Sequence, residues 1–205
     1  METFQEEPLV VVALAGQARV GKDTIASRLI SEHSFTRMAF ADGLRAALGA
    51  ASGSSWDILK EIEASGKSLR RSMQVIGTEC RRDVGCQDHW VDQVGILIRY
   101  LSHYHPNPRC RFVITDMRYR TEAVRLREIL IPWQARLEVW KVERPDRPQL
   151  AAAEAAHSSE TSVAEIVSDR TIWNIGTKAD LFVTVEDKVS RFLMGGQGGS
   201  NDISC

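Results

Sequence analysis

Cysteine is scarce in this chain, and its spacing does not match the common metal-binding patterns. The four cysteines are Cys80, Cys86, Cys110 and Cys205, and no two of them form a CxxC pair. Zinc ribbons, zinc fingers and thiol redox centres rely on such closely spaced pairs. Cys80 and Cys86 could still contribute to a metal site, but we favour reduced thiols in a cytoplasmic protein.

Long hydrophobic runs and an excess of charge of either sign are also missing. The run LVVVALA at 9–15 is far too short to cross a membrane. The N-terminal residues METFQEEPLV are acidic and lack the basic start of a signal peptide. With 26 Lys and Arg against 27 Asp and Glu, the composition gives no overall basic surface for nucleic acid. We therefore expect neither a membrane nor a nucleic acid as a partner.

The most informative stretch that is present is GQARVGKDT at 16–24, directly after that apolar run. The spacing of Gly16, Gly21 and Lys22 is that of a phosphate-binding P-loop, with a strand before it and a helical pattern after it. Backbone N–H groups turn inward at such a loop, and the positive end of the helix dipole points to the same place. The alternative is a chance occurrence of GxxxxGK, and the strand–loop–helix context argues against it.

The residue after the P-loop lysine departs from the usual pattern. Ser or Thr normally follows the lysine, whereas here Asp23 follows it and the hydroxyl comes next, at Thr24. Asp23 could cap or tune the start of the helix. Thr24 is then the candidate ligand for a magnesium ion.

The alternation of strand and helix patterns predicts a three-layer α/β P-loop NTPase fold, with a parallel central sheet and helices on both faces. The predicted strands are near 9–15, 34–40, 111–116, 137–143 and 171–185. The predicted helices are near 22–33, 42–50, 56–64, 68–81, 88–103, 120–130 and 186–194. We expect one domain over 1–194, with a helical region at 42–105, a mobile lid at 144–161 and a flexible tail at 195–205.

Polar residues follow several of the predicted strands, at the edge where an open parallel sheet binds its ligands. Asp116 ends an apolar strand, as a magnesium-orienting carboxylate does in P-loop enzymes, although a helix N-cap is the alternative role. Three arginines could neutralise charge on a phosphoryl group in transfer, or could be solvated surface residues. They are Arg118, Arg144 and Arg147.

A second group of polar residues lies in the middle of the chain. It comprises Arg70, Gln74, the GTE run at 77–79, Arg82, Gly85, Asp88 and Trp90. Arg70 and Gln74 are four residues apart and share a helix face, and glutamine offers both a donor and an acceptor to a nucleobase edge. Without a P-loop in the chain, these residues would be read as an ordinary polar helix face. Because the chain has a P-loop, they predict a second site, which binds the phosphate acceptor.

These motifs together resemble a known family. GQARVGKDT is followed by AFADGLRAAL, RxxMQxxGTExxR, DxWV, VITDMRYRTEA, ERP, HxSE and NxGT. Over roughly residues 8–185 this series resembles the deoxynucleoside monophosphate kinases, especially those of tailed bacteriophages. The resemblance implies a nucleoside-monophosphate-kinase-like fold that transfers the γ-phosphoryl group of ATP to a deoxynucleoside monophosphate with Mg²⁺. A phage-encoded enzyme would act in the host cytoplasm.

The resemblance also implies roles for individual residues. The ATP-binding residues would be Gly16, Arg19, Gly21, Lys22, Asp23, Thr24 and Asn174, with Asn174 near the adenine. The residues lining the acceptor pocket would be Asp42, Arg70, Gln74, Thr78, Glu79, Arg82 and Trp90. The catalytic residues would be Lys22, Asp116, Arg118 and Arg144, and the magnesium ligands Thr24 and Asp116.

Two departures from the family pattern affect the acceptor site, and several alternatives remain. The family usually has Asn before Glu122 and Pro before Leu44, whereas this chain has Thr121 and Gly43. His157 and Glu160 match the HxSE motif, and a capping or lid-closing role is favoured over direct chemistry.

Two alternatives to a deoxynucleoside monophosphate kinase remain. One is a kinase for another phosphorylated acceptor, such as dephospho-coenzyme A or phosphomevalonate, and the other is a non-catalytic ATP-binding regulator. The partners expected are small-molecule nucleotides, with a homodimer left open.

Overall fold

The computed structural model describes residues 8–53, 55, 57, 61, 88–105, 109–146 and 162–195. The helices predicted at 56–64 and 68–81 fall largely or wholly outside these residues, as do most of the predicted lid and the tail from 196 onward. The acceptor-site candidates outside them are Arg70, Gln74, Thr78, Glu79 and Arg82, and the same holds for Arg147, His157 and Glu160.

A sheet of five parallel strands organises the described residues. The strands are β1 (Val10–Ala15), β2 (Thr36–Met38), β3 (Arg111–Met117), β4 (Arg136–Glu143) and β5 (Arg170–Trp173), in the order β2-β3-β1-β4-β5. The central position of β1 explains its composition, because a strand covered on both faces needs a continuous apolar run. All six of its residues are buried.

Five α-helices accompany the sheet in the described residues. They are α1 (Lys22–His33), α2 (Phe40–Ser52), α3 (His89–Arg99), α4 (Arg120–Leu130) and α5 (Lys178–Met194). α3 continues as a π-helical turn over Tyr100–Tyr104, so the helix predicted to end near 103 is confirmed in extent. Short 3₁₀ turns lie at Ile131–Trp133 and Ser162–Glu165.

The two faces of the sheet bury different helices, as the side-chain alternation of a strand requires. On β1, Val11 and Ala13 pack in the apolar cluster that includes residues of α2, α3 and α4. Val10 and Val12 pack in the cluster that includes residues of α1 and α5. The predicted three-layer α/β architecture is therefore confirmed.

The prediction of a strand through DLFVTV at 180–185 is wrong, because these residues belong to α5. A capping box starts the helix earlier, since the Asp180 carboxylate accepts from the Thr177 N–H at 2.8 Å and the Asp180 N–H donates to the Thr177 hydroxyl at 3.3 Å. Leu181, Val185 and Val189 then recur every four residues and are buried on one side of the helix. The β-branched residues between them suggested a strand, but the burial follows the helical period.

The helix that follows the P-loop is tied to α5 by an ion-pair cluster. Glu186 of α5 accepts from the Arg28 guanidinium at 2.6 Å and lies 2.9 Å from the His33 ring nitrogen. Burial works to raise the pKa of Glu186, and the hydrogen bonds from Arg28 and His33 outweigh it, so that this pKa lies below its ordinary value. The cluster fixes the two helices on this face of the sheet relative to each other.

The strand order sets the position of the ligand-binding edge. The carboxyl end of β1 lies between those of β3 and β4, and ligands of open parallel sheets bind in a crevice beyond such ends. Within the part of the chain that the structure describes, no helix has the length and apolar character needed to span a bilayer.

Candidate phosphate-binding site and adjoining cavities

The turn between β1 and α1 requires glycine at both of its ends. Gly16 and Gly21 have φ angles of +148° and +107°, which L side chains rarely adopt. A Cβ at position 16 would lie 2.6 Å from the Val142 carbonyl oxygen, and one at position 21 would lie 2.6 Å from the Asn174 amide nitrogen. The backbone of this loop therefore packs directly against neighbouring polar groups, as a phosphate cradle needs.

Lys22 reaches back across the loop that precedes it. Its ammonium donates to the carbonyl oxygens of Gly16 and Gln17, both at 2.7 Å, and the residue is buried. A buried ammonium needs such acceptors, because desolvation penalises an unpaired charge. These contacts hold the ammonium of Lys22 against the loop.

A cavity of about 430 Å³, the P-loop cavity, opens at the N-terminus of α1. The predicted ATP-site residues that line it are Arg19, Gly21, Lys22, Asp23, Thr24 and Asn174, together with Arg144. Gly21 is the N-cap residue of α1 and has no side chain with which to cap the first turn. Helix N-terminal N–H groups attract anions, and with Lys178 the cavity wall carries four cationic side chains against the carboxylate of Asp23.

Arg19 has a left-handed backbone at the tip of the loop. Its φ is +65°, which a residue other than glycine seldom adopts. Such conformations cluster at ligand-binding turns, where the surrounding structure imposes them. Arg19 also lines the P-loop cavity.

Asn174 contacts the P-loop through its side chain. Its side-chain amide donates to the Val20 carbonyl at 2.8 Å, and its backbone N–H donates to the Glu143 carbonyl at 2.8 Å. The residue is buried, and it connects the end of β5 to both β4 and the P-loop. Its proximity to adenine stays a prediction, whereas its contact with the loop is observed.

A second cavity of about 400 Å³, the β4 cavity, lies on the other side of the loop. Its lining includes Gly16, Gln17, Lys141, Glu143, Arg144 and Trp173. Arg144 lines this cavity and the P-loop cavity, and its guanidinium pairs with Asp146 at 3.1 Å. The hydrogen bond to Asp146 raises the pKa of Arg144, so the arginine is charged at any working pH. Arg144 thus lies at the boundary between the two cavities.

Lys141 is a site residue that the motifs did not single out. It pairs with Ala15 of β1 across the sheet, lines the β4 cavity and forms an ion pair with Glu143 at 3.0 Å. The signal that could have found it is a cationic residue near the carboxyl end of the predicted strand at 137–143, two positions before Glu143. Besides Lys22, Lys141 is therefore a second cationic side chain close to Gly16.

A third cavity of about 390 Å³, the α2–α3 cavity, has mainly apolar walls. Its lining includes Phe40, Asp42, Gly43, Trp90, Leu97 and Tyr100. The structure therefore brings together Asp42 and Trp90, the two acceptor-site candidates that lie within the described residues. Asp42 is already paired there, because its carboxylate oxygens accept from Arg37 at 2.9 Å and from Arg45 at 2.7 Å.

Asp116 and Arg118 stand apart from the P-loop cavity, whose described lining includes neither residue. The Asp116 carboxylate accepts from the backbone N–H groups of Phe40 at 2.8 Å and Ala41 at 2.9 Å. Burial raises the pKa of Asp116, and those two hydrogen bonds oppose the rise. The Arg118 N–H donates to Glu122 at 2.8 Å, so this segment also starts α4.

The residues proposed for magnesium therefore differ in their surroundings. Thr24 lines the P-loop cavity, in the first turn of α1, whereas Asp116 contacts the start of α2. Within the described ranges, no group of three or more His, Cys, Asp and Glu side chains is arranged to hold a metal. Both magnesium assignments stay predictions.

Comparison with known proteins bears on the fold. Neither a model of a known protein family nor a curated protein matches the chain. Among solved structures, a gluconokinase from Sinorhizobium meliloti 1021 is 14% identical, with a TM-score of 0.50 over 96% of this chain and 99% of that chain. A shikimate kinase from Aquifex aeolicus is 12% identical, with a TM-score of 0.45 over 92% and 99% of the two chains. At such identity the likeness to the gluconokinase shows the fold, and with the five-stranded parallel sheet it establishes an α/β P-loop NTPase fold.

The contact between Gly43 and Trp90 gives a test of the α2–α3 cavity. A Cβ at position 43 would lie 3.1 Å from the Trp90 ring, so the ring must shift by a few tenths of an ångström in Gly43→Ala. If this cavity binds the acceptor that the sequence predicts, a deoxynucleoside monophosphate, calorimetry should show roughly tenfold weaker binding of it in Gly43→Ala, with no change in the binding of the predicted donor ATP. In a Trp90→Phe background, where the smaller ring relieves the contact, Gly43→Ala should have little further effect. Equal weakening in both backgrounds would contradict the account.

Proposed function

We propose that this protein transfers the γ-phosphoryl group of ATP to a deoxynucleoside 5′-monophosphate, giving ADP and the nucleoside diphosphate. The observation that carries the proposal is the cationic P-loop cavity, in which Lys22 spans the glycine-ended loop. The fold and the series of sequence motifs support the same reading.

The residues of the P-loop cavity account for donor binding. The N–H groups at the start of α1 would hold the phosphates, and Lys22 and Arg144 would neutralise their charge. Positioning and charge neutralisation are the main requirements of phosphoryl transfer, and no nucleophilic side chain is needed. A phosphate oxygen of the acceptor attacks the γ-phosphorus, and the bond to the bridging oxygen of ADP breaks.

Magnesium fits the site through Thr24. Thr24, in the first turn of α1, lines the P-loop cavity, and its hydroxyl is the type of oxygen ligand that this ion uses. When bound, the ion would neutralise charge on the phosphate oxygens of ATP. Asp116, the other ligand that the sequence predicts, instead accepts hydrogen bonds from the N–H groups of Phe40 and Ala41, so Thr24 is the magnesium ligand that we propose.

The α2–α3 cavity accounts for acceptor binding. Phe40 and Trp90 give it aromatic walls, which suit the flat ring of a nucleobase, and Asp42 places a carboxylate at its edge. We propose that Arg70, Gln74, Thr78, Glu79 and Arg82 complete the pocket, with the arginines directed to the acceptor phosphate. We further propose that Arg118 contributes charge near the transferred group.

A coupled assay of ADP release tests this function. Purified protein is incubated with Mg·ATP and with each of dAMP, dGMP, dCMP, dTMP, dUMP and hydroxymethyl-dCMP, beside dephospho-coenzyme A and phosphomevalonate. We expect one or a few of the deoxynucleotides to stimulate release strongly. Stimulation by the other two acceptors alone would show a kinase of different specificity. Tight ATP binding without turnover under any acceptor would show a non-catalytic role.

A further inference from the structure

The N-terminus of α2 is capped by a residue far away in the sequence. Its own N-cap residue is Ala39, which has no side-chain acceptor, and no N-cap side chain bonds to the helix. Phe40 and Ala41 instead donate their N–H groups to the two carboxylate oxygens of Asp116, at 2.8 and 2.9 Å. A carboxylate at this end of a helix satisfies unpaired donors and complements the helix dipole.

An irregularity in β3 accompanies this contact. Ala13 pairs with Ile114 and Ala15 with Met117, so that β3 has one more residue than β1 between the two pairs. Ile114 and Met117 consequently pack in the same apolar cluster, although three positions separate them. Bulges of this kind redirect a side chain near functional sites. Here the extra residue falls beside the carboxylate that reaches α2.

A second contact ties the same junction to β3. The hydroxyl of Thr115 donates to the carbonyl oxygen of Met38, the last residue of β2, at 3.4 Å. Two consecutive residues of β3 therefore contact the end of β2 and the start of α2, on either side of Ala39. Ala39 and the first turn of α2, with Phe40, Asp42 and Gly43, form part of the wall of the α2–α3 cavity.

We propose that Asp116 is a positioning residue that holds the α2 wall of the acceptor cavity in place. The proposal rests on the proposed function, which assigns the acceptor to this cavity. Asp116 acts through the backbone of Phe40 and Ala41, and it sets how tightly the acceptor is bound rather than how ATP or Mg²⁺ is bound. A displacement of a reactant by 1 Å is enough to reduce the rate of an enzyme strongly, so fixing this wall matters for transfer.

The test uses Asp116→Asn, which is nearly isosteric but presents an NH₂ group to one of the two N–H donors. We expect the acceptor KM to rise roughly tenfold or more, since a hydrogen bond to a charged group is lost. The KM for ATP and the Mg²⁺ concentration for half-maximal rate should stay within about twofold, because the P-loop cavity is unchanged. A raised Mg²⁺ requirement with an unchanged acceptor KM would overturn the proposal and make Asp116 a metal ligand.

Hydrogen exchange supplies a readout that does not depend on activity. In Asp116→Asn, we expect the amides of residues 40–52 to exchange faster, while those of residues 22–33 keep the wild-type rate. Unchanged exchange at α2 would overturn the proposal. If the wild-type protein phosphorylates no nucleoside monophosphate, the proposed function fails, and the exchange experiment still decides whether Asp116 holds α2.

Asp169→Asn is the matched control. The Asp169 carboxylate also accepts from a backbone N–H, that of Val139 at 2.7 Å, and it pairs with Arg127 at 2.7 Å. These partners lie in β4 and α4, not in the wall of the α2–α3 cavity. Loss of the Asp169 carboxylate should therefore leave the acceptor KM within about twofold of the wild type. If Asp116→Asn does not fold, Asp116→Glu keeps the charge but misplaces the cap, and the same increase in acceptor KM is expected.

Discussion

Lys22→Ala is expected to lower kcat by roughly 100- to 1,000-fold, the usual effect of removing one group that stabilises transition-state charge. The ammonium of Lys22 contacts the loop directly, since it donates to the carbonyl oxygens of Gly16 and Gln17. When a phosphate binds in the loop, the Lys22 ammonium would donate to charged phosphate oxygens in place of these neutral carbonyl oxygens. The measurement is kcat with saturating Mg·ATP and the preferred acceptor.

The fold should survive this substitution, so the loss is catalytic. Urea unfolding should show a decrease of about 1–3 kcal/mol, because two carbonyl oxygens lose a donor. Lys188→Ala is the control, since Lys188 lies on α5 and is outside the described linings of the three cavities. It should leave kcat unchanged. A rate near that of the wild type in Lys22→Ala would remove the P-loop from the mechanism.

Gly16→Ala is expected to destabilise the protein and to weaken ATP binding at least tenfold. The new Cβ would lie 2.6 Å from the Val142 carbonyl oxygen, a backbone atom in β4 that cannot move aside. Strain of the positive φ and overpacking together should reduce the free energy of unfolding by about 2–5 kcal/mol. Urea unfolding measures the first effect, and calorimetric titration with ATP measures the second.

Gly53→Ala separates backbone strain from steric contact. Gly53 ends α2 with a φ of +65°, and a Cβ there would meet nothing within 4 Å. The expected decrease in the free energy of unfolding is about 1–2 kcal/mol, from the left-handed backbone alone, with ATP affinity unchanged. If Gly16→Ala is no more destabilising than Gly53→Ala and binds ATP normally, the close approach of the loop to β4 has no functional importance.

The parts of the fold that sequence reasoning predicted correctly are those with local signals. The run at 9–15 predicted a buried strand, and the glycines at 16 and 21 predicted the turn that follows it. The helix from Lys22 and the strand from Arg111 were each marked by their own periodicity and flanking residues. Local information therefore sufficed to locate the five strands and the turn of the P-loop, whereas it did not give the order of the strands in the sheet.

The error at 180–185 shows where local patterns mislead. Phe182, Val183 and Thr184 favour a strand by propensity, but burial of Leu181 and Val185 against the sheet favours a helix. The capping box of Thr177 and Asp180 was visible in the sequence and pointed to the helix start. Tertiary packing decided between two patterns that the sequence presented together.

The contact between Asp116 and α2 could not be predicted, because it joins residues 75 and 76 positions apart. The sequence offered a metal ligand or a cap for the following helix as roles for this carboxylate. The helix that it caps in the structure comes earlier in the chain. Pairing of β2 with β3 creates that proximity, and no local motif encodes it.

Transfer of the labelled γ-phosphoryl group of ATP is the measurement that tests the central claim most directly. A single turnover with γ-³²P-ATP, Mg²⁺ and the preferred deoxynucleoside monophosphate, in the wild type and Lys22→Ala, separates transfer from hydrolysis. We predict that the label appears in the deoxynucleoside diphosphate in the wild type and that its appearance is strongly slowed in Lys22→Ala. Label found only in inorganic phosphate, or transfer at equal rates in both proteins, would contradict the account.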